Sequence, residues 1–109
     1  MKTARKIMSQ AQTISKVLWI GPAPLNETVN PQNIHNGRWL MYNEKIAEYD
    51  RAYAGLANQL KINYLSIFQE YFISPRYKAA LVAGDKVHPD NDGYAMITES
   101  VTNWAAWRT

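Results

Sequence analysis

Apolar positions recur at Ala4, Ile7, Met8, Ala11 and Ile14, and this three-four spacing predicts an amphipathic helix over 3–16 with its lysines and arginine outward. Residues 17–20 are wholly apolar and stop at Gly21-Pro22-Ala23-Pro24, the pattern of a short buried strand. Ile46, Tyr49, Tyr53, Leu56, Ala57 and Leu60 form the next periodic face, so a long helix is expected over 39–60, with Tyr49 and Tyr53 turned inward. Residues 62–68 read as a second strand, and residues 70–89 as irregular chain. Asp90 is a good N-cap for a last helix, whose inner face is expected to carry Tyr94, Ile97, Val101 and Trp104.

Strand, crossover helix and strand make one βαβ unit, so the two strands should run parallel. The expected class is therefore α/β, with three main helices and two strands. Parallel sheets are normally covered on both faces, and two strands alone make a poor one. The strands are thus expected to belong to a larger sheet or to pair with another chain.

Composition narrows the chemistry. The 109 residues suit one domain with a modest core. The absence of cysteine excludes a disulfide scaffold, a cysteine-ligated zinc site and thiol catalysis within this sequence. The net charge is +3, and Lys2, Arg5, Lys6 and Lys16 place four positive charges in the first sixteen residues without one acid. Such a cluster reads as a solvated helix face, too small to predict a nucleic-acid partner. No apolar run approaches the roughly 20 residues of a membrane span, and no signal peptide is recognisable. No cofactor is expected, and localisation is left open.

Ligands of open parallel sheets bind beyond the carboxyl ends of the strands. The two irregular stretches expected there each contain one of the chain's two histidines. His35 lies in the proline- and asparagine-rich stretch 21–38, with Arg38 and Trp39 at its exit as mild candidates for shaping a pocket. His88 is the more informative, in Asp85-Lys86-Val87-His88-Pro89. An aspartate three residues before a histidine can bond one ring nitrogen and free the other to take a proton. The same spacing also describes an ordinary surface pair. Asp85, His88, Asp90 and Asp92 could suit a divalent metal, but Asp90 and Asp92 stand where a helix start wants acids. No metal site is expected.

Two motifs carry a family resemblance. Val17-Leu18-Trp19-Ile20-Gly21-Pro22-Ala23-Pro24 resembles the penultimate strand of SGNH (GDSL-type) hydrolases. Gly84-Asp85-Lys86-Val87-His88-Pro89-Asp90-Asn91-Asp92-Gly93-Tyr94 is similar to the family's last motif, "D-G-V-H-P-x-x-x-G-Y". Their order and their interval of about sixty residues fit, and the resemblance spans nearly the whole chain. It implies a partial three-layer α/β/α SGNH (flavodoxin-like) fold, with these as its last two parallel strands. Residues 1–109 would then be the C-terminal portion of a single SGNH domain. It also implies ester hydrolysis through a serine acyl-enzyme, with Asp85 as the triad acid and His88 as the base.

The family's Gly-Asp-Ser nucleophile motif and its Gly-x-Asn-Asp oxyanion motif do not occur in this sequence. Ser9, Ser15, Ser66, Ser74 and Ser100 lie in other contexts, and none is expected to serve as nucleophile. The chain alone is therefore expected to be inactive toward an ester substrate. The alternative is a non-catalytic α/β module that self-associates through its bare sheet edge.

Overall fold

The computed structural model describes residues 2–27 and 42–108. Eight elements follow in order: α1 (Lys2–Gln12), β1 (Leu18–Ile20), α2 (Asn43–Gln59), β2 (Asn63–Leu65), α3 (Phe68–Phe72), α4 (Pro75–Ala83), α5 (Asn91–Thr102) and α6 (Ala105–Arg108). The expected α/β class holds at that level: β1 and β2 pair in parallel, with Leu18 opposite Asn63, Trp19 opposite Tyr64 and Ile20 opposite Leu65. Gly21 N–H extends the ladder to the Leu65 carbonyl at 2.8 Å.

Trp19 and Tyr64, being register partners, share a face of the sheet. Both pack on a cluster of Met8, Leu56, Ala57 and Ile62, contributed mainly by α1 and α2. Leu65, one residue on, points the other way and joins Ile67, Tyr71, Tyr77 and Leu81, with Met96 and Ile97 of α5 packed against them. Helices therefore stand on both sides, as parallel strands require. A third small cluster joins Leu25, Ile46 and Phe68 beneath the chain that leaves β1. Ile20 remains 42% exposed.

Four sequence expectations are corrected. The first helix ends at Gln12 rather than 16, and Ile14, expected on its inner face, is 86% exposed. Thr13 and Ile14 bond back to Gln10 and Ala11 in a turn, freeing the chain to enter β1. The second strand stops at Leu65, and Phe68 begins a helix. The stretch 70–89, expected to be irregular, holds most of α3 and all of α4. Ser74 caps α4 by accepting the Tyr77 N–H at 3.1 Å, with Pro75 in its first turn, a helix-start signature present in the sequence.

The helix faces are also adjusted. Tyr49 is exposed and stacks on Tyr53, with ring centroids 6.0 Å apart. Tyr94 is exposed as well, because α5 turns Gly93, Met96 and Ile97 toward α4. A Cβ on Gly93 would collide with the Pro89 ring and reach Ala80, so this glycine sets how closely α5 approaches α4. Arg76 ties the same two helices from outside, donating to both carboxylate oxygens of Asp92 and to Glu99.

Candidate active site

The loop between α4 and α5 brings the two predicted site residues together. Asp85 Oδ1 accepts the backbone N–H groups of Val87 (2.9 Å) and His88 (2.6 Å), while Oδ2 meets His88 Nδ1 at 2.9 Å. One carboxylate thus fixes both the loop backbone and the ring it carries. The backbone bond from His88, the ring bond and the backbone bond from Val87 hold the Asp85 carboxyl down at about 2, since each favours the charged form.

The loop is tethered on three sides. Asp85 N–H donates to the His88 carbonyl at 3.1 Å, closing the loop on itself. Lys86 N–H donates to the Leu81 carbonyl of α4 at 2.9 Å, and the Lys86 carbonyl accepts the Asn26 N–H at 2.8 Å. The last contact connects the loop to the chain leaving the carboxyl end of β1. Lys86 takes φ of 73° to do this, a left-handed conformation that a side chain disfavours. Asp90 then caps α5 by accepting the Asp92 and Gly93 N–H groups, as its position predicted.

The ring and the carboxylate are 70% and 64% exposed. As an ion pair at the surface they stabilise the fold little. What they do chemically is orient. With Nδ1 carrying its proton toward Asp85, Nε2 presents a lone pair able to accept a proton, and the carboxylate stabilises the imidazolium that results. Among the described residues no hydrogen bond joins a serine hydroxyl to His88. Ser66 Oγ donates to Asp50 Oδ2 at 2.7 Å, Ser100 Oγ bonds the Tyr71 hydroxyl at 2.6 Å, and Ser74 caps α4.

The four-residue metal set considered from sequence is dispersed into other duties. Asp90 caps α5, Asp92 faces Arg76, and no group of three or more candidate metal ligands forms among the described residues. His35, Arg38 and Trp39 lie outside the described residues.

Two features at the carboxyl ends of the strands were not apparent in the sequence. Asp50 of α2 accepts the Tyr64 hydroxyl at 2.6 Å as well as Ser66 Oγ, and a Cβ on Gly21 would strike both Tyr64 and Asp50. Burial, followed by the Asp50 bond, drives the Tyr64 phenol far above its ordinary range, so it stays a donor. The other feature is a cleft of about 240 Å³ between residues 24–27 and α4. One of its walls is placed by Asn43, whose buried side-chain amide bonds both the N–H and the carbonyl of Leu25 at 2.8 Å. These contacts join residues far apart in sequence and have no local spacing to betray them.

No protein-family model matches the chain, and no curated protein matches it. No helix among the described residues is long and apolar enough to cross a membrane.

Proposed function

We propose that this chain supplies the acid and base of an SGNH (GDSL-type) ester hydrolase. In this reading Asp85 orients His88, and His88 Nε2 takes the proton of a serine nucleophile and later returns it to the leaving group. The serine and the oxyanion donors belong to a segment that this sequence does not include, so the chain alone is silent. The observation that carries the reading is the His88 Nδ1–Asp85 Oδ2 bond at 2.9 Å within the Gly84–Tyr94 motif. The parallel β1–β2 pair with helices on both sides is compatible with it.

The test is complementation. The purified chain should not turn over p-nitrophenyl acetate above background. Mixed or co-expressed with an N-terminal SGNH half bearing Gly-Asp-Ser, it should restore turnover that His88→Ala abolishes. Restored turnover indifferent to His88→Ala would end the reading, and so would His88-dependent turnover by the chain alone, because a local serine would then serve.

A second reading has its own observation. Among the described residues β1 pairs only with β2, and Ile20 is 42% exposed beside that free edge. A non-catalytic module that pairs through this edge would sediment as a dimer or larger. A heat-stable monomer in analytical ultracentrifugation would exclude it.

A further inference from the structure

The cleft beside α4 combines an apolar interior with an unmatched cation. Leu25 and Leu81 are buried in its walls, while Phe72 and Val82 are exposed at its mouth. Lys78, one turn before Val82 on α4, lines it too, and among the described residues no carboxylate lies within ion-pair distance of its ammonium. Among the described residues Glu27 is the one acid on the rim. Its Oε1 is committed to the Asn43 N–H at 2.8 Å, at the start of α2, where the helix end favours a negative charge. The cleft walls are fixed before any ligand arrives, by the Asn43–Leu25 pair on one side and by the Lys86 bonds to Asn26 and Leu81 on the other. Such preorganisation lowers the ordering cost of binding.

We infer that this cleft is a binding site for a small linear carboxylic acid, its alkyl tail along Phe72 and Val82 above the buried Leu25 and Leu81, and its carboxylate at Lys78. The volume sets the length. At roughly 30 Å³ for each water-sized group, about 240 Å³ holds about eight, the carbons of an eight-carbon acid whose two oxygens stand outside at the exposed Lys78. This is smaller than the roughly 300–1,000 Å³ of sites for drug-sized ligands. The site does not rest on the hydrolase reading: binding without turnover under complementation would leave the cleft standing and the hydrolase reading refuted.

The experiment is an amide NMR titration of the whole chain with octanoate and, separately, with octan-1-ol. Octanoate should give saturable shifts centred on Asn26, Leu81 and Val82. Lys78→Glu should weaken octanoate about five- to tenfold while leaving octan-1-ol unchanged, as the exchange of an exposed attraction for a repulsion. Lys78→Gln should give a smaller loss of the same kind, and it serves if the charge reversal disturbs folding. Val82→Trp, placed at an exposed position, should block both ligands. The inference is overturned if octanoate gives no saturable shift, if the shifts centre elsewhere, or if the Lys78 variants weaken both ligands equally.

Discussion

The backbone of Gly84 runs against the carbonyl of His88 so closely that no side chain fits between them. A Cβ at residue 84 would collide with that oxygen and crowd Pro89 and Asp90 behind it. The same oxygen accepts the Asp85 N–H at 3.1 Å, so the approach is part of what closes the loop. Gly84→Ala should therefore open the loop and cost about 1–3 kcal/mol of stability, in the range of other overpacking substitutions. Urea unfolding followed by tryptophan fluorescence measures the loss. An unchanged midpoint would mean that the loop accommodates the methyl group.

Asp85 sets the tautomer of His88. In the wild type, nitrogen shifts of the neutral ring should report Nδ1 protonated and Nε2 bare, because only that form donates to Oδ2. Asp85→Ala removes the acceptor and should leave the mixed tautomers of a free imidazole. A wild-type ring already protonated mainly at Nε2 would refute this assignment.

The same carboxylate dictates a pH window. Its folded pKa of about 2 lies below its ordinary value of 3.8, so it binds its proton less readily when folded. Its contribution to loop order is therefore complete above the ordinary value and is lost as pH falls from there through about 2. The amide signals of Val87 and His88 should follow that titration, since both N–H groups donate to Oδ1. A midpoint at or above 3.8 would show that the bonds do not persist in solution.

Lys86 should tolerate glycine better than lysine. Its φ of 73° costs a residue with a Cβ about 1 kcal/mol, and glycine takes that conformation freely. Glycine also widens the unfolded ensemble, so the net gain from Lys86→Gly should be about 0.5 kcal/mol. A rise in the urea midpoint at constant slope checks it, and a fall would place Lys86 elsewhere in solution.

Asn43→Ala should be among the costlier single changes. It strips the partners from the Leu25 N–H and carbonyl, groups that meet the Asn43 amide in a buried place. Leaving them unpaired costs about 2–4 kcal/mol together. The cleft wall should loosen as well, so the variant should also bind octanoate more weakly. A loss below about 0.5 kcal/mol would indicate that water replaces the amide.

Much of the chain's order was legible locally. The alternation of apolar blocks with Gly and Pro located β1, the three-four spacing located α1 and α2, and Asp90 marked the start of α5. The Asp85–His88 pair was readable because both of its members sit in one short loop, where spacing alone fixes their reach. The Ser74-Pro75 start of α4 is equally local, although it stands in a stretch without a clear three-four apolar spacing.

Other features depended on distant partners. An apolar run such as 62–68 suits strand or helix equally, and its division came from packing: Leu65 packs against the cluster of Ile67, Tyr71, Tyr77 and Leu81, whereas Phe68 joins Leu25 and Ile46. With Gly93 pressed against Pro89, α5 leaves Tyr94 in solvent, although the periodicity placed Tyr94 on the inner face. By itself, then, the sequence determined the α/β class and the Asp85–His88 contact, the first because each element shows in its own periodic segment and the second because both residues sit in one turn. The close approach of α4 and α5, the Asp50 cluster beyond the strands and the cleft at Lys78 were decided only in three dimensions. Each joins side chains from separate elements, whose meeting no local spacing encodes.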